Sequence, residues 1–258
     1  MEQKERLDFL IEQLWQELEP AWQDRLEQKG LSGWPLLRAL MNIRPPQAVS
    51  AEFLQVQDAF LQEMIAERGI TSIGELTPIQ DKLYLWQGDI TTLAADAIVN
   101  AANEALLGCF HPLHGCIDNI IHSLAGIQLR LACQKLMLAQ GHPEAAGQAK
   151  ITSAFNLPSR YVLHTVGPII TGRVTAKDRC SLASCYRSCL DLAEQYQLES
   201  VAFCCISTGV FHFPNQQAAE IAVDSVRQWL PKAQYVQKVI FNVFKDEDRV
   251  IYEALLGE

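Results

Sequence analysis

The chain contains 258 residues, of which 49% are hydrophobic and 20% are charged. This balance is typical of a globular protein with ample core material, and the length suits one large domain or a domain with an extension. The formal net charge of −9 argues against binding to duplex nucleic acid, which requires a basic surface to neutralise the phosphates. An anionic ligand is therefore expected to bind backbone N–H groups and helix N-termini.

Targeting signals are not expected at the N-terminus. Residues 1–15 are charged and have the periodicity of a helix, which does not fit a signal peptide. No apolar run approaches the roughly 20 residues that cross a membrane. The eight cysteines are interpreted as reduced thiols rather than a disulfide framework, so a cytoplasmic protein is predicted.

Residues 1–80 are predicted to form a helical N-terminal extension. Leu10 and Leu14 lie on one face of a first helix, and further helical segments are expected around residues 34–43 and 50–68. No candidate catalytic residue is identified in this region. Its tryptophans are interpreted as packing against the following domain, with a docking surface as the alternative.

Residues 81–258 alternate between short apolar strands and helices, which predicts an α/β domain with three layers, a sheet covered by helices on both faces. Strands are expected at 82–90, 95–103, 149–155, 161–167, 201–207 and 238–244, and helices at 117–141, 176–197, 215–230 and the C-terminus. Ligands of such domains bind at the carboxyl ends of strands. The polar motifs GDIT, NAAN, GCFHPLHGC and STGVFHFP follow predicted strands, so a site is expected where they meet.

Cys109, His114 and Cys116 form a C-x4-H-x-C cluster within eight residues. Two thiolates and an imidazole are ligands that zinc prefers, and three protein ligands are typical of a catalytic site with a position left for water or substrate. No fourth Cys or His stands at an obvious companion spacing. The alternative is that the cysteines are small buried hydrophobic residues and the histidine is an ordinary loop residue.

Two further motifs suit a nucleotide. Asp89 follows the first strand of the α/β part and could accept a hydrogen bond from an exocyclic amine, although aspartate is common in such turns. Ser207, Thr208 and Gly209 offer closely spaced N–H groups at a strand-to-helix turn, a geometry suited to pyrophosphate. An ordinary capped turn is the alternative, and the lysine of a Walker loop is missing.

The order of GDIT, DAIVNAAN, IDNIIH and STGVFHFP resembles that of a macrodomain, the ADP-ribose-binding fold, over about residues 82–257. Most macrodomains carry a run of glycines between NAAN and the helix. Here GCFHPLHGC occupies that region, which is similar to the zinc-dependent macrodomain branch found in bacteria, and the helical extension also fits that branch. The resemblance implies an α/β/α fold with a mixed central sheet, and Zn²⁺ as cofactor.

The resemblance also implies how the nucleotide is bound. Asp89 would bond the adenine amine, and Ile90 would bond the ring through its backbone. The residues implied to wrap the diphosphate are Ser207, Thr208, Gly209, Val210 and Phe211. His212 stands where many macrodomains have a glycine, so the geometry of this loop is the point at which the chain departs from the family pattern.

The distal-ribose end is implied to carry the chemistry. Asn103 would contact the ribose, and Ile117 and Asp118 would meet the ligand at the start of a helix. The residues implied to hold Zn²⁺ beside the ribose are Cys109, His114 and Cys116. Asp118 and Asn103 are the catalytic candidates, with Asp118 orienting a water, holding the ribose or acting as general base.

The activity implied by the resemblance is hydrolysis that removes mono-ADP-ribose from modified protein side chains and releases ADP-ribose. Its implied substrate is an ADP-ribosylated carrier protein of lipoyl metabolism, and neither a nucleic acid nor a membrane is expected as partner. The alternative is a reader that binds ADP-ribose without cleaving it and uses zinc structurally. A zinc deaminase is disfavoured because the combination of H-x-E with a distant P-C-x-x-C does not occur. A monomer is expected by default.

Overall fold

The computed structural model describes residues 1–257 and begins with four helices. These are α1 (Gln3–Gln16), α2 (Pro20–Gln28), α3 (Gly33–Ile43) and α4 (Ala51–Arg68). Pro20 begins α2 at a position where the missing N–H would have no partner. Ser50 begins α4, since its hydroxyl accepts a hydrogen bond from the Phe53 N–H at 3.0 Å. The predicted helical N-terminal region is confirmed.

The four helices enclose a hydrophobic cluster of their own, in which Leu10, Leu37 and Leu61 are fully buried. Burial of each such side chain contributes about 1.5–3 kcal/mol. Trp34 and Met64 contact both this cluster and the core of the following domain. The helices are therefore packed against the α/β part of the chain.

A mixed seven-stranded sheet forms the centre of the protein, as predicted. The strands are β1 (Thr71–Ser72), β2 (Pro78–Gln80), β3 (Leu83–Gln87), β4 (Leu93–Ala94), β5 (Ala97–Ala102), β6 (Ala149–Ser153), β7 (Tyr161–Val166), β8 (Ser200–Phe203) and β9 (Lys238–Val243). The main sheet has the order β2-β3-β9-β8-β5-β7-β6, with β2 and β6 antiparallel to their neighbours. β1 pairs with β4 in a separate parallel pair. Residues 71–80 thus pair with strands that follow residue 80.

Helices α5 (Ile117–Ala125), α6 (Ile127–Gln140), α7 (Ala176–Gln195), α8 (Asn215–Trp229) and α9 (Asp246–Gly257) complete the domain. The single helix predicted over 117–141 is wrong, because it is interrupted at Gly126. This glycine has φ 94°, and a Cβ there would meet Gln57 Nε2 at 2.6 Å. Only glycine combines that backbone conformation with so close an approach.

The sheet core explains the near-continuous apolar runs of the sequence. Val99, Leu163 and Val201 on β5, β7 and β8 have no exposed surface, as expected for parallel strands covered on both faces. β3, β9, β8, β5 and β7 run parallel, so their carboxyl ends share one edge of the sheet.

No helix within residues 1–257 has the length and apolar character required to cross a bilayer. All eight cysteines are free thiols.

Candidate functional site

A cleft of about 440 Å³ opens at the carboxyl ends of the parallel strands, a volume within the range of small-molecule sites. Asp89 and Ile90 line it after β3, Cys116 and Ile117 line it at the start of α5, and residues 207–211 line it after β8. Three predicted segments that lie far apart in the sequence therefore face one another around one cavity, because parallel strands end at the same edge.

The two carboxylate oxygens of Asp89 have different partners. Its Oδ1 accepts hydrogen bonds from Thr91 N at 3.0 Å and from Thr91 Oγ1 at 2.5 Å, and it thereby caps the short 3₁₀ helix Ile90–Thr92. Its Oδ2 lies 3.5 Å from Arg68 Nη1 on α4. The second oxygen can thus accept an amine hydrogen without loss of the local cap.

The loop that follows β8 is closed on itself by backbone hydrogen bonds. Phe213 N donates to Ser207 O and His212 N donates to Gly209 O, each at 3.0 Å. Within residues 1–257, the N–H groups of Gly209, Val210 and Phe211 donate to no protein acceptor. Such closely spaced free N–H donors in one loop are suited to a phosphate group.

His212 adopts φ 58°, the left-handed region that favours glycine. This conformation explains why a glycine suits the position. The histidine side chain is exposed, so the loop accommodates it without displacing the ring of donors.

Cys109, His114 and Cys116 converge beside the cleft, each half-buried. Their ligand atoms lie within 4.8 Å of one another, and Cys109 Sγ is 3.6 Å from His114 Nδ1. Cys116 begins α5, where its Sγ accepts a hydrogen bond from Asn119 N at 3.4 Å. Burial, followed in effect by the neighbouring Cys109, raises the pKa of the Cys116 thiol to about 12, so a cation must displace its proton before the sulfur acts as a thiolate ligand.

Asn103 and Asp118 adjoin each other but do not line the cleft. Asn103 Nδ2 donates to Asp118 Oδ2 at 3.3 Å and to Gly108 O at 3.1 Å. Asp118 Oδ1 accepts from Asn100 Nδ2 at 2.8 Å. Asp118 is 4% exposed, and this burial raises the pKa of its carboxyl to about 6. The carboxylate therefore lies behind the lining residues, where it orients the Asn103 amide.

A second group of nitrogen and sulfur atoms, from His122, Cys133 and His164, is fully buried next to Asp118. Asn100 Nδ2 also contacts His164 Nδ1 at 3.2 Å, so Nδ1 is the acceptor and the ring proton lies on Nε2, 2.9 Å from Thr152 Oγ1. Burial lowers the pKa of His164 to about 3, which keeps the ring neutral. His164 Nε2 is thus engaged as a donor, whereas neither ring nitrogen of His122 has a hydrogen-bond partner within residues 1–257.

The cleft residues that were not among the predicted site residues include Trp34, Arg38, Arg68, Phe244 and Lys245. Phe244 and Lys245 follow β9, so the rule that ligands bind at the carboxyl ends of strands would have found them. Trp34 and Arg38 lie on α3 and Arg68 ends α4, in a region where no candidate was identified. Nothing in the local sequence distinguishes these residues from ordinary helix surface.

Comparisons with known proteins agree with this geometry. The family described as Macro domain matches residues 99–222. A protein of Treponema medium named "Protein-ADP-ribose hydrolase" is 53% identical over 267 aligned positions that cover 100% of both chains. A Staphylococcus aureus (strain MSSA476) protein of the same name is 51% identical over 222 residues, 85% of this chain and 83% of that one. The Trypanosoma brucei macrodomain in complex with ADP-ribose has a TM-score of 0.67 and 30% identity, and covers 85% of this chain and 95% of that one.

Proposed function

Because the chain belongs to the Macro domain family, we propose that it is a zinc-dependent hydrolase that releases mono-ADP-ribose from modified protein side chains. The names of the bacterial relatives support the hydrolase, and the bound ligand of the trypanosomal structure supports ADP-ribose. The observation that carries the proposal is the cleft itself, which is lined by Asp89, by the loop of residues 207–211 and by Cys116, one of three residues that could hold a metal.

The diphosphate and the adenine of the nucleotide would bind at opposite ends of the cleft. The free N–H groups of Gly209, Val210 and Phe211 would bind the diphosphate, with Ser207 and Thr208 beginning the turn. Asp89 Oδ2 would accept the adenine amine, with Ile90 as its neighbour. A carboxylate accepts from an amine but not from a carbonyl, which favours adenine over a base with an oxygen at that position.

The residues of the cluster fit zinc. Two thiols and one imidazole within 4.8 Å form the donor set that zinc prefers. Cys109, His114 and Cys116 would hold the ion, which would displace the proton of the buried Cys116 thiol as it binds. When bound, zinc would supply Lewis-acid chemistry at the distal-ribose end of the ligand.

Asn103 and Asp118 would act as a pair. The Asn103 amide is half-buried behind the lining residues and is fixed by its bonds to Asp118 and Gly108. Its Oδ1, which accepts from Ala105 N at 3.0 Å, keeps a second lone pair that a ribose hydroxyl inserted past the lining residues would reach. The burial of Asp118 favours a positioning role over direct proton abstraction. Asp118→Asn, which keeps one acceptor oxygen, should then retain more turnover than Asp118→Ala, whereas equal losses would support the general base.

The decisive experiment measures release of ADP-ribose from a mono-ADP-ribosylated protein, with zinc quantified in the same preparation before and after chelation. Cys116→Ser should lose both zinc and release. Cys180→Ser, which changes an exposed thiol on α7, is the matched control and should retain both. Full release by Cys116→Ser would overturn the zinc-dependent hydrolase, and tight binding of ADP-ribose without release would support a reader.

We also propose an ADP-ribosylated lipoyl-carrier protein as substrate, a monomeric state and a cytoplasmic location. The substrate rests on the family resemblance and the location on the eight free thiols. A panel of modified carrier proteins tests the first proposal, with release from the lipoyl carrier expected to be fastest. Light scattering and cell fractionation test the other two.

A further inference from the structure

Arg38 of α3 contacts two parts of the candidate metal site formed by Cys109, His114 and Cys116. Its Nη2 donates to the carbonyl of His114 and to Asn119 Oδ1, each at 2.7 Å, and its Nε donates to Ser123 Oγ at 3.3 Å. One guanidinium thus bonds a cluster residue and the helix that Cys116 begins. The planar fork of arginine can make these bonds simultaneously, whereas a lysine ammonium cannot reproduce their geometry.

A second contact from α3 holds the residue before His114. Leu113 adopts φ 60°, which is uncommon for leucine. Its N–H donates to Asn42 Oδ1 at 3.0 Å, and its side chain packs against the hydrophobic cluster of α1–α4. Asn42 is itself 1% exposed and donates to Ser123 Oγ at 3.0 Å. Such a backbone conformation persists only where surrounding contacts impose it.

Asn119 carries the effect of Arg38 to both cysteines. Because its Oδ1 accepts from Arg38, its Nδ2 must face the other way, where it donates to Cys109 O at 3.2 Å and to His111 O at 3.0 Å. Its backbone N–H donates to Cys116 Sγ at 3.4 Å. Asn119 has no exposed surface, so its amide cannot exchange these partners for water.

We propose that the N-terminal helical region is part of the metal site, with Arg38 and Asn42 as positioning residues that hold the ligand loop (residues 109–116) in its metal-binding shape. The region supplies no metal ligand, yet zinc retention depends on it. The zinc component of this inference rests on the proposed function, whereas the ordering of the ligand loop by α3 does not.

Two substitutions test the role of Arg38. Arg38→Met removes the fork and keeps much of the apolar stem, and Arg38→Lys keeps the charge without the fork. Mutation of a residue that hydrogen-bonds a metal ligand typically weakens metal binding about 10–100-fold. Both variants should therefore bind zinc about 10–100-fold more weakly in chelator competition, and hydrogen exchange of residues 109–116 should be faster. Turnover should fall, while hydrogen exchange of the β5 and β7 amides should stay unchanged, which separates positioning from a general loss of structure.

Arg6→Met is the matched control, because Arg6 bonds only Gln3 and Glu63 within the helical region and should leave zinc affinity and loop exchange unchanged. Wild-type zinc affinity in Arg38→Met would overturn the inference, as would recovery in Arg38→Lys, which would assign the effect to charge. If the wild type neither bound zinc nor released ADP-ribose, the proposed function would fail. Hydrogen exchange of the ligand loop would then be the only test of the inference. Unchanged exchange of that loop in Arg38→Met would overturn it.

Discussion

Gly167 sets how closely the loop of residues 207–211 can approach the sheet. It directly follows β7, and a Cβ at this position would lie 2.0 Å from Ser207 Oγ and 2.9 Å from Ile206 Cγ2. Rotation of the serine hydroxyl would relieve the first contact, because Ser207 Oγ has no hydrogen-bond partner within residues 1–257. The Ile206 methyl at 2.9 Å and Ser207 Cβ at 3.3 Å would remain. Gly167→Ala must therefore displace the loop or strain it.

The expected magnitude follows from overpacking. Extra carbon in a packed site costs about 1–3 kcal/mol. For a chain of this length each kcal/mol lowers Tm by about 2–4 °C, so a fall of roughly 2–12 °C is expected. ADP-ribose affinity should fall as well, because the displaced residues include the free N–H donors. Gly172→Ala is the control, since a Cβ there meets nothing within 4 Å.

A second substitution identifies the contact responsible. Ser207 has φ 65°, which glycine adopts without strain, so Ser207→Gly removes both Ser207 contacts and leaves only the contact with the Ile206 methyl. Gly167→Ala should then destabilise the Ser207→Gly background less than the wild type, with an interaction energy above about 0.5 kcal/mol. Urea unfolding of the four proteins without ligand measures it. Equal effects in both backgrounds, or a Gly167→Ala variant as stable as Gly172→Ala, would refute the steric reasoning.

Three further predictions concern binding, pH and metal. Asp89→Ala should weaken ADP-ribose binding in calorimetry by about 10-fold or more, the equivalent of one hydrogen bond to a charged group, and equal affinity would remove Asp89 from the adenine site. The pKa of His164 is lowered by burial to about 3, so the unfolded chain binds one more proton between about pH 3 and 6.5. Wild-type stability should thus fall by about 1.4 kcal/mol more per pH unit than that of His164→Gln as pH decreases through this window, and parallel urea titrations would contradict it. Removal of zinc should lower Tm, since an ion at 1,000 times its Kd stabilises the fold by about 4 kcal/mol; a chelator without effect would argue against the metal.

The architecture could be predicted because its signals are local. Apolar runs at 161–167 and 238–244 lie within two residues of β7 and β9, since buried parallel strands contain apolar residues at nearly every position. The position of the cleft followed from the same pattern, because the polar motifs stand after strands whose carboxyl ends share an edge. Asp89 and the phosphate loop could therefore be placed on one cavity before their distances were known.

The remainder depends on contacts between distant parts of the chain. At Gly126, where the helix breaks, a Cβ would meet Gln57 Nε2, which lies about 70 residues earlier and which no helical periodicity reveals. The burial of Asp118 likewise follows from Asn100 on β5 and from the helix packing above it. A motif identifies the chemical type of a side chain, but its access to the cleft is decided by its neighbours in space.

The charge of the cleft also depends on residues from distant parts of the chain. The net charge of −9 led to the expectation that an anionic ligand binds only backbone groups. The cleft is instead lined by three cations, Arg38, Arg68 and Lys245, against two carboxylates, Asp89 and Asp248. Net charge is a sum over the surface, whereas the field at a ligand is set by the charges that line its cavity. Two of the three cations come from α3 and α4, so the N-terminal helical region offsets the acidity of the chain within the cleft.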